Sequence, residues 1–477
     1  MAPVTRVVII GGGPGGYEAA LVGSQLGGDV TLVDTDGLGG SAVLTDCVPS
    51  KTLIATAEVM MTVKGSEELG LRIDNDNGTD NADGVTIDLG KVNRRVLKLA
   101  ERQSKDIRDK VIAEGVEVVN GLGRLDGPAT VVAETAEGER RFDADVVLIS
   151  TGAHPRELVT AQPDGERILT WTQVYDLTEI PEHLIVIGSG VTGAEFASAY
   201  DALGARVTLV SSRTTVLPGE DSDAAKVLQD VFTERGMEVL SESRAESVTR
   251  DGDTVTVKLT DGRTVTGSHC LMAVGSIPNT AGIGLEEAGI TLDKGGFIEV
   301  DKVSRTSARG VYAAGDCTGV NMLASVAAMQ GRIAMWHALG DAVAPLDLNV
   351  VSSNVFTSPE IATVGVTQKQ VDSGDVRALA INMPLATNPR AKMQGIHEGF
   401  VKLFCLPTTG IIVGGVVVSP HASELIHTIS LAVSEKITVD NFAHDFTVYP
   451  SLSGSIAEAA RRLHGHSTDK LEKHIEI

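Results

Sequence analysis

The sequence predicts an α/β protein: two Rossmann-like parallel-sheet units and an α+β unit at the C-terminus. Three observations carry this. A short apolar strand, Arg6–Ile10, runs directly into the glycine-rich stretch Gly11–Gly16. The same cassette returns at Leu184–Glu195 with the same internal spacing. From about Leu346 the pattern changes to strands interspersed with amphipathic helices.

In the first cassette, Val7-Val-Ile-Ile10 is unbroken apolar sequence bounded by glycine, as expected of a strand buried on both faces. Gly11, Gly13 and Gly16 form a G-x-G-x-x-G match, with Pro14 and Gly15 inside it. The first glycine permits a tight turn, the second lets backbone approach a pyrophosphate, and the third lets helix pack close to strand. A helix is expected over Tyr17–Leu26, its N-terminus offering amides and a positive dipole end to a phosphate. A second strand, Val30–Val33, ends at Asp34, spaced to accept hydrogen bonds from a ribose. The glycine motif alone is common. Strand, turn, helix, strand and acid in order make it a dinucleotide site.

Leu184-Ile-Val-Ile-Gly188-Ser-Gly190-Val191-Thr-Gly193-Ala-Glu195 restates Val7–Glu18, and Val207–Val210 restates Val30–Val33. Two complete cassettes imply two dinucleotide sites. They differ where the ribose is read. The position matching Asp34 is Ser211, followed by Ser212 and Arg213. A carboxylate binds a free 2′-hydroxyl and repels a 2′-phosphate, whereas serine with arginine does the opposite. The first site is therefore expected to take a dinucleotide with a free ribose, and the second to accept NADPH.

With 477 residues, 22% of them charged and 42% hydrophobic, the chain has length for two to four domains and a large core. A net charge of −23 disfavours nucleic acid and anionic membrane as partners. Cys47, Cys270, Cys317 and Cys405 are far apart with no C-x-x-C, against a zinc site or a secreted disulfide framework. No metal site is expected. The N-terminus lacks the pattern of a signal peptide, and Ile411–Val418 is strand-length, so a cytoplasmic protein without an integral membrane segment is expected. Lys64–Asp88 reads as an acidic surface insertion, and Asp88–Glu114 as an amphipathic helix with Val92, Val96, Leu99, Ile107 and Val111 near helical spacing.

After the first cassette comes Gly39-Gly40-Ser41-Ala42-Val-Leu-Thr-Asp46-Cys47-Val-Pro49-Ser50-Lys51. Pro49 and Ser50 suit a helix start, which puts Cys47 near a helix N-terminus, where a thiolate is stabilised. This stretch resembles the active-site segment of the flavoprotein disulfide reductases, G-G-T-C-x-x-x-x-C-x-P-S-K. The second cysteine is present as Cys47, and the first is Ala42, so the family's redox disulfide cannot form.

The resemblance extends over almost the whole chain. Asp145–Gly152, ending in Thr151 and Gly152, resembles the family's A-T-G segment, and Val311–Asp316, ending in Gly315 and Asp316, its second FAD segment. The small-residue helix from Met322, Leu323 and Ala324 corresponds to one whose N-terminus faces the flavin pyrimidine. Phe356–Gly365 and Gly399–Lys402 resemble the C-terminal dimerisation domain. The resemblance implies tight, non-covalent FAD against the first cassette, with Gly40 and Ser41 lining it. It implies NADPH or NADH as co-substrate against Gly188, Gly190, Val191, Gly193, Ser211, Ser212, Arg213 and Gly275. Lys51 and Glu195 match a pair beside the flavin N5, where a cation stabilises the reduced anion. The implied domains are FAD-binding over 1–156 and 277–347, NAD(P)H-binding over 157–276 and dimerisation over 348–477, in a homodimer or a higher homo-oligomer.

A second departure lies near the C-terminus. The family's H-P-T-x-x-E acid–base motif reads Tyr449-Pro-Ser-Leu-Ser-Gly454. Tyrosine, with an ordinary pKa near ~10, is a poor general base at neutral pH. One cysteine, the histidine and the glutamate are missing together, while both nucleotide cassettes and the Lys51–Glu195 pair remain. The combination resembles the branch of actinobacterial NAD(P)H quinone reductases related to dihydrolipoyl dehydrogenase. It implies hydride transfer from NAD(P)H to FAD and onward transfer to a quinone, with Cys47 tuning the flavin as a thiolate and Tyr449 of a partner chain meeting the acceptor. The alternatives are a soluble pyridine-nucleotide transhydrogenase, a single-cysteine peroxidase or oxidase working through Cys47, and a flavin-loaded redox sensor without turnover.

Overall fold

The computed structural model describes residues 4–71 and 84–464. The middle of the expected acidic insertion, 72–83, lies outside the described residues. The first body is built on a five-stranded parallel sheet, ordered Val311–Ala313, Val146–Ile149, Arg6–Ile10, Asp29–Asp34, Glu117–Asn120. The unbroken apolar run of its central strand is explained by cover on both faces. Val7 and Ile9 pack against Ala19, Ala20 and Leu21 of a helix, while Val8 and Ile10 pack against Val131 and Ala133 of a three-stranded antiparallel sheet. The helix spans Pro14–Gln25 and starts three residues earlier than the Tyr17 expected from periodicity, because Pro14 fills a first-turn position that needs no N–H. The helix after the active-site stretch likewise runs from Cys47 to Gly65, and Asp88 caps Leu89–Ala113 by accepting from the Lys91 N–H at 2.8 Å.

The second body repeats the first. Its five-stranded parallel sheet is ordered Glu238–Leu240, Arg206–Val210, His183–Ile187, His269–Met272, Ile168–Thr170. Arg6 pairs with Asp29 and Ile10 with Val33, and His183 pairs with Arg206 and Ile187 with Val210. The sequence repeat is thus a repeat of register. The chain leaves the first body through Ala153–Pro155 and returns through Ser276–Pro278, two short strands that pair antiparallel.

The third body is a five-stranded antiparallel sheet ordered Ser352–Val355, Glu360–Gly365, Ile412–Ser419, Phe400–Cys405, Leu379–Pro384. Strand periodicity sends its side chains to two different cores. Val401, Leu403 and Val417 pack with Ile426, Ile429, Ala459 and Ala460 of the helices Ala422–Ser434 and Gly454–Leu463. Phe400, Phe404, Val416 and Val418 join one apolar cluster with Leu53 and Ile54 of the first body and Phe196 and Tyr200 of the second.

Inside that junction lies a buried ion cluster. Lys402 Nζ donates to both oxygens of Asp221, at 3.0 and 2.9 Å, and to Asp223 at 2.6 Å. The Lys402 and Asp221 side chains are 3% and 2% exposed. Asp221 also caps the helix Ser222–Glu234 through the N–H groups of Asp223 and Ala224. K402M is expected to leave a buried carboxylate unpaired and to lower stability by about 3–5 kcal/mol. Denaturant unfolding would check this, and the K402M/D221N double variant should recover part of the loss.

Candidate active site

Both glycine loops have the same steric design. Gly11 has φ +100°, and a Cβ there would lie 2.2 Å from Ser150 O; a Cβ on Gly16 would lie 1.8 Å from Gly11 O. In the second loop Gly188 has φ +111° and meets Ala273 O at 2.1 Å, while Gly193 meets Gly188 O at 1.8 Å. The middle glycines differ: a Cβ on Gly13 or Gly190 would meet nothing within 4 Å. Each caps a helix, Pro14–Gln25 or Val191–Ala202, without a side-chain bond to the first-turn amides. Free amides, a positive helix end and open space over the second glycine fit a pyrophosphate in both places. Gly40 backs the first cradle, a Cβ there lying 2.8 Å from Gly13 Cα, and Ser41 beside it is exposed.

Asp34 does more than await a ribose. Its carboxylate accepts from the N–H groups of Gly12 at 2.7 Å, Asp36 at 3.1 Å and Gly37 at 2.6 Å. Burial pushes this carboxyl up and the amides hold it back. It therefore fixes the glycine loop to the end of its strand. In the second cassette Ser211 is fully buried and bonds Ser189, the counterpart of Gly12, hydroxyl to hydroxyl at 2.7 Å. Ser211 also donates to Arg213 O at 3.1 Å and accepts from the Arg213 N–H at 3.1 Å. A hydroxyl pair thus replaces the carboxylate brace. Ser212 and Arg213 project into solvent, and Arg213 has no ion-pair partner among the described residues. Val191, 43% exposed, opens the second helix, and Gly275, with φ +93°, accepts from the Arg156 N–H at 2.9 Å.

Thr151 and Gly152 end the strand beside the first cradle. Thr151 Oγ1 donates to Asn279 O at 2.7 Å, and Asn279 Nδ2 donates back to Thr151 O at 2.8 Å. Asn279, in the returning chain, escaped the sequence reading because no periodicity marks it. Gly315 donates its N–H to the buried Gln330 Oε1 at 2.9 Å, and Asp316 follows it. Burial pushes the Asp316 carboxyl up to about 6, with Asp46 adding to the effect. Met322 is 43% exposed, Leu323 caps the helix Ala324–Ala338, and Gly331 in that helix lies so close to Gly15 O that a Cβ would stand 2.0 Å away.

Lys51 and Glu195 meet, although they come from different bodies. Lys51 Nζ donates to Glu195 Oε2 at 2.7 Å and lies 5.0 Å from the centre of the Phe356 ring. Glu195 Oε1 accepts from the Phe356 N–H at 2.9 Å, so a third body closes the arrangement. The side chains are 30% and 4% exposed. Burial pushes the Glu195 carboxyl up against the pull of Lys51; burial opposes the Lys51 charge, but Glu195 outweighs it and the ammonium is held more firmly than usual. The counterpart of Glu195 in the first cassette, Glu18, is tied instead to Arg332 at 2.8 Å.

Cys47 corrects one expectation. It does open the helix Cys47–Gly65, but the thiol is pushed up to about 12, by burial first and by neighbouring Asp46 second. The helix end and Lys51 do not overcome these, so Cys47 is a neutral thiol at physiological pH. All four cysteines are free, and Cys317 is fully buried, its thiol turned to Ala314 O and Ile149 O, as expected of a structural residue. Tyr449 stands apart from this cluster, 82% exposed near the equally open Phe446 and Val448.

The parallel sheets, the two glycine cradles and the linked ammonium–carboxylate pair fit the dinucleotide-binding oxidoreductases as a class. The profile described as "Pyridine nucleotide-disulphide oxidoreductase" matches residues 5–331, and that of its dimerisation domain matches 351–460. The chain belongs to the pyridine nucleotide-disulphide oxidoreductase family, whose members use flavin and NAD(P)H. It is 55% identical over 97% of its length, and 94% of the relative's, to the NAD(P)H dehydrogenase (quinone) of Mycobacterium tuberculosis. It is 32% identical to the dihydrolipoyl dehydrogenase of Zymomonas mobilis, over 98% of this chain and 99% of that one. The crystal structure of LpdA from Mycobacterium tuberculosis superposes with a TM-score of 0.91 at 54% identity, covering 97% of this chain and 100% of that one.

The glycine geometry separates folding from binding. G13A is expected to fold normally, since φ of −65° and open space tolerate a methyl group, yet to purify without flavin colour. G16A, which drives a methyl group into Gly11 O, is expected to lose thermal stability as well. Circular dichroism and flavin absorbance on both proteins would check the contrast.

Proposed function

We propose that this protein is an FAD-dependent NAD(P)H:quinone oxidoreductase that favours NADPH and lacks lipoamide dehydrogenase activity. One observation carries the reading: the Lys51–Glu195 pair is intact while the adjoining Cys47 is a lone, neutral thiol facing a chain with Ala42 in place of a partner. The apparatus for accepting hydride is complete and the apparatus for passing it to a disulfide is not. The mycobacterial relative at 55% identity is named for a quinone acceptor.

In this reading residues 1–156 and 277–347 hold FAD, 157–276 hold the nicotinamide dinucleotide, and 348–477 join two copies. FAD is held tightly but without a covalent bond. Bound FAD supplies a two-electron acceptor that can release electrons singly or in pairs. The chain's residues position it. The amides after Gly13 take the pyrophosphate, Asp34 holds the loop and reads the ribose, and Thr151, Gly152, Gly315 and Asp316 line the path to the ring. Gly40 and Ser41 would cover the cradle, and the helix beginning at Ala324, with Met322 and Leu323 before it, would offer its positive end to the charge of a reduced flavin. Lys51, held by Glu195, places its ammonium where reduction adds charge. Gly188, Gly190, Val191, Gly193 and Gly275 receive NADPH, with Ser212 and Arg213 at its 2′-phosphate and Ser211 holding their turn. The net reaction is NADPH, a proton and a quinone to NADP+ and a hydroquinone. Tyr449 of the second copy hydrogen-bonds the acceptor. The described residues contain no helix long and apolar enough to cross a membrane, which accords with a cytoplasmic enzyme meeting a quinone at its surface.

Steady-state NADPH oxidation by the FAD-loaded protein should proceed with a soluble quinone and fail with lipoamide. Lipoamide turnover would overturn the reading, and faster hydride exchange between NADPH and an NAD+ analogue than quinone reduction would favour a transhydrogenase. R213A should raise KM for NADPH by about 10–100-fold, the worth of one charge-assisted hydrogen bond, and leave that for NADH nearly unchanged. An unaltered NADPH/NADH preference would remove Arg213 from the site.

A further inference from the structure

The Lys51 ammonium carries three N–H donors and, among the described residues, meets one acceptor, Glu195 Oε2 at 2.7 Å. A single hydrogen bond fixes a distance and leaves the ammonium free to swing about it. The Lys51 side chain is 30% exposed, so water can draw it away. Its second contact is the Phe356 ring, whose centre lies 5.0 Å from Nζ. At that distance the negative face of an aromatic ring attracts a cation. The counterpart cation of the first cassette is held differently. Arg332 meets Glu18 Oε2 through Nε at 2.9 Å and Nη2 at 2.8 Å, so its planar guanidinium has two points of attachment on one carboxylate. An ammonium has no such fork.

Phe356 is set in place without its ring. Its N–H donates to Glu195 Oε1 at 2.9 Å, and the Ser358 N–H donates to Ser198 Oγ at 3.1 Å. Glu195 and Ser198 are three residues apart on the helix Val191–Ala202, so they share one face of it. Arg235 Nη1 adds a third tie, donating to Ser358 O at 3.0 Å. These bonds lay residues 356–358 along the second body whatever side chain Phe356 carries. The ring itself is half-buried at the margin of the apolar junction. One residue thus touches both members of the pair, Glu195 through its N–H and Lys51 through its ring.

We propose that Phe356 is a positioning residue of the redox site: its ring is the second point of attachment that keeps the Lys51 ammonium in place beside the flavin. This role rests on the reading that Lys51 flanks the bound flavin. Reduction adds negative charge to the flavin, and a cation stabilises that charge less as their separation grows. An ammonium that swings about one hydrogen bond therefore stabilises reduced flavin less than one held at two points. A second carboxylate could hold the ammonium equally well, but it would oppose the charge of the reduced flavin. An aromatic ring has no net charge, so it restrains Lys51 without that penalty.

The test is the flavin midpoint potential of the holoenzyme with mono-, di- and trifluorinated phenylalanine placed at Phe356 alone, beside F356L, F356Y and K51M. Ring fluorines weaken the negative face step by step while nearly preserving shape, and every variant keeps the N–H that binds Glu195. The potential should fall with each fluorine. F356L should lower it by roughly 30 mV, a tenfold change in the reduced-to-oxidised ratio of a two-electron couple. F356Y, which keeps the ring face, should stay near wild type. A packing role alone would not follow the fluorine count, so a potential that is level or rises across the series overturns the proposal. If F356L releases flavin, the fluorinated series decides by itself. K51M separates this role from the reading beneath it. An unchanged potential in K51M would remove Lys51 from the flavin. A lowered potential in K51M with a level fluorine series would keep Lys51 there and dismiss Phe356.

Discussion

The structure depends on one short link, Lys51 to Glu195 to the Phe356 N–H. The three groups come from three bodies, and each is satisfied only when all three are docked. A carboxylate 4% exposed cannot be left half paired without a large cost. The apolar cluster around it, from Leu53 through Phe196 to Phe404, supplies the non-directional attraction. The ion pair supplies the direction, because only one alignment brings Nζ, Oε2 and Oε1 to their partners. Lys402 with Asp221 repeats the device between the second and third bodies. Fold and candidate site therefore share a constraint: the ammonium proposed to stand beside the flavin is also a bolt between bodies.

Comparison of the two cassettes shows how one architecture is turned to two tasks. Gly11, Gly13 and Gly16 and their counterparts Gly188, Gly190 and Gly193 have nearly the same clearances, so the backbone cradle is common property. The differences lie in three side chains around it. Asp34 braces its loop through amides, whereas Ser211 braces through Ser189. Removing the carboxylate removes the repulsion toward a 2′-phosphate, and the hydroxyl pair restores the brace without restoring the charge. Glu18 is tied to Arg332 within its own body, whereas Glu195 reaches across to Lys51.

Much of this was legible in the residues. Glycine spacing, strand length and the terminal residues Asp34 and Ser211 report local geometry, and the register of both parallel sheets follows the cassette repeat. The helix limits were less legible, since Pro14 extends the first helix into what reads as loop. Asn279 and Phe356 were not legible as site groups. Both act across long sequence separations, Asn279 through its side-chain amide and backbone carbonyl and Phe356 through its backbone N–H, and no motif announces such partners. Cys47 shows the converse limit. A helix N-terminus argues for a thiolate, but burial and the adjoining Asp46 argue more strongly against one, and only the assembled site reveals how the balance falls.

That balance bears on why the chain tolerates a missing disulfide partner. A lone thiolate beside a flavin would be a reactive nucleophile with no resolving thiol, open to oxidation past the reversible stage. Protonation removes that liability without removing the side chain, so Cys47 can keep its packing at the head of the helix. Burial does most of this, and the Asp46 carboxylate one residue away adds to it. The glycine cradles stand apart from this cysteine, and their clearances are nearly the same in the two halves of the repeat.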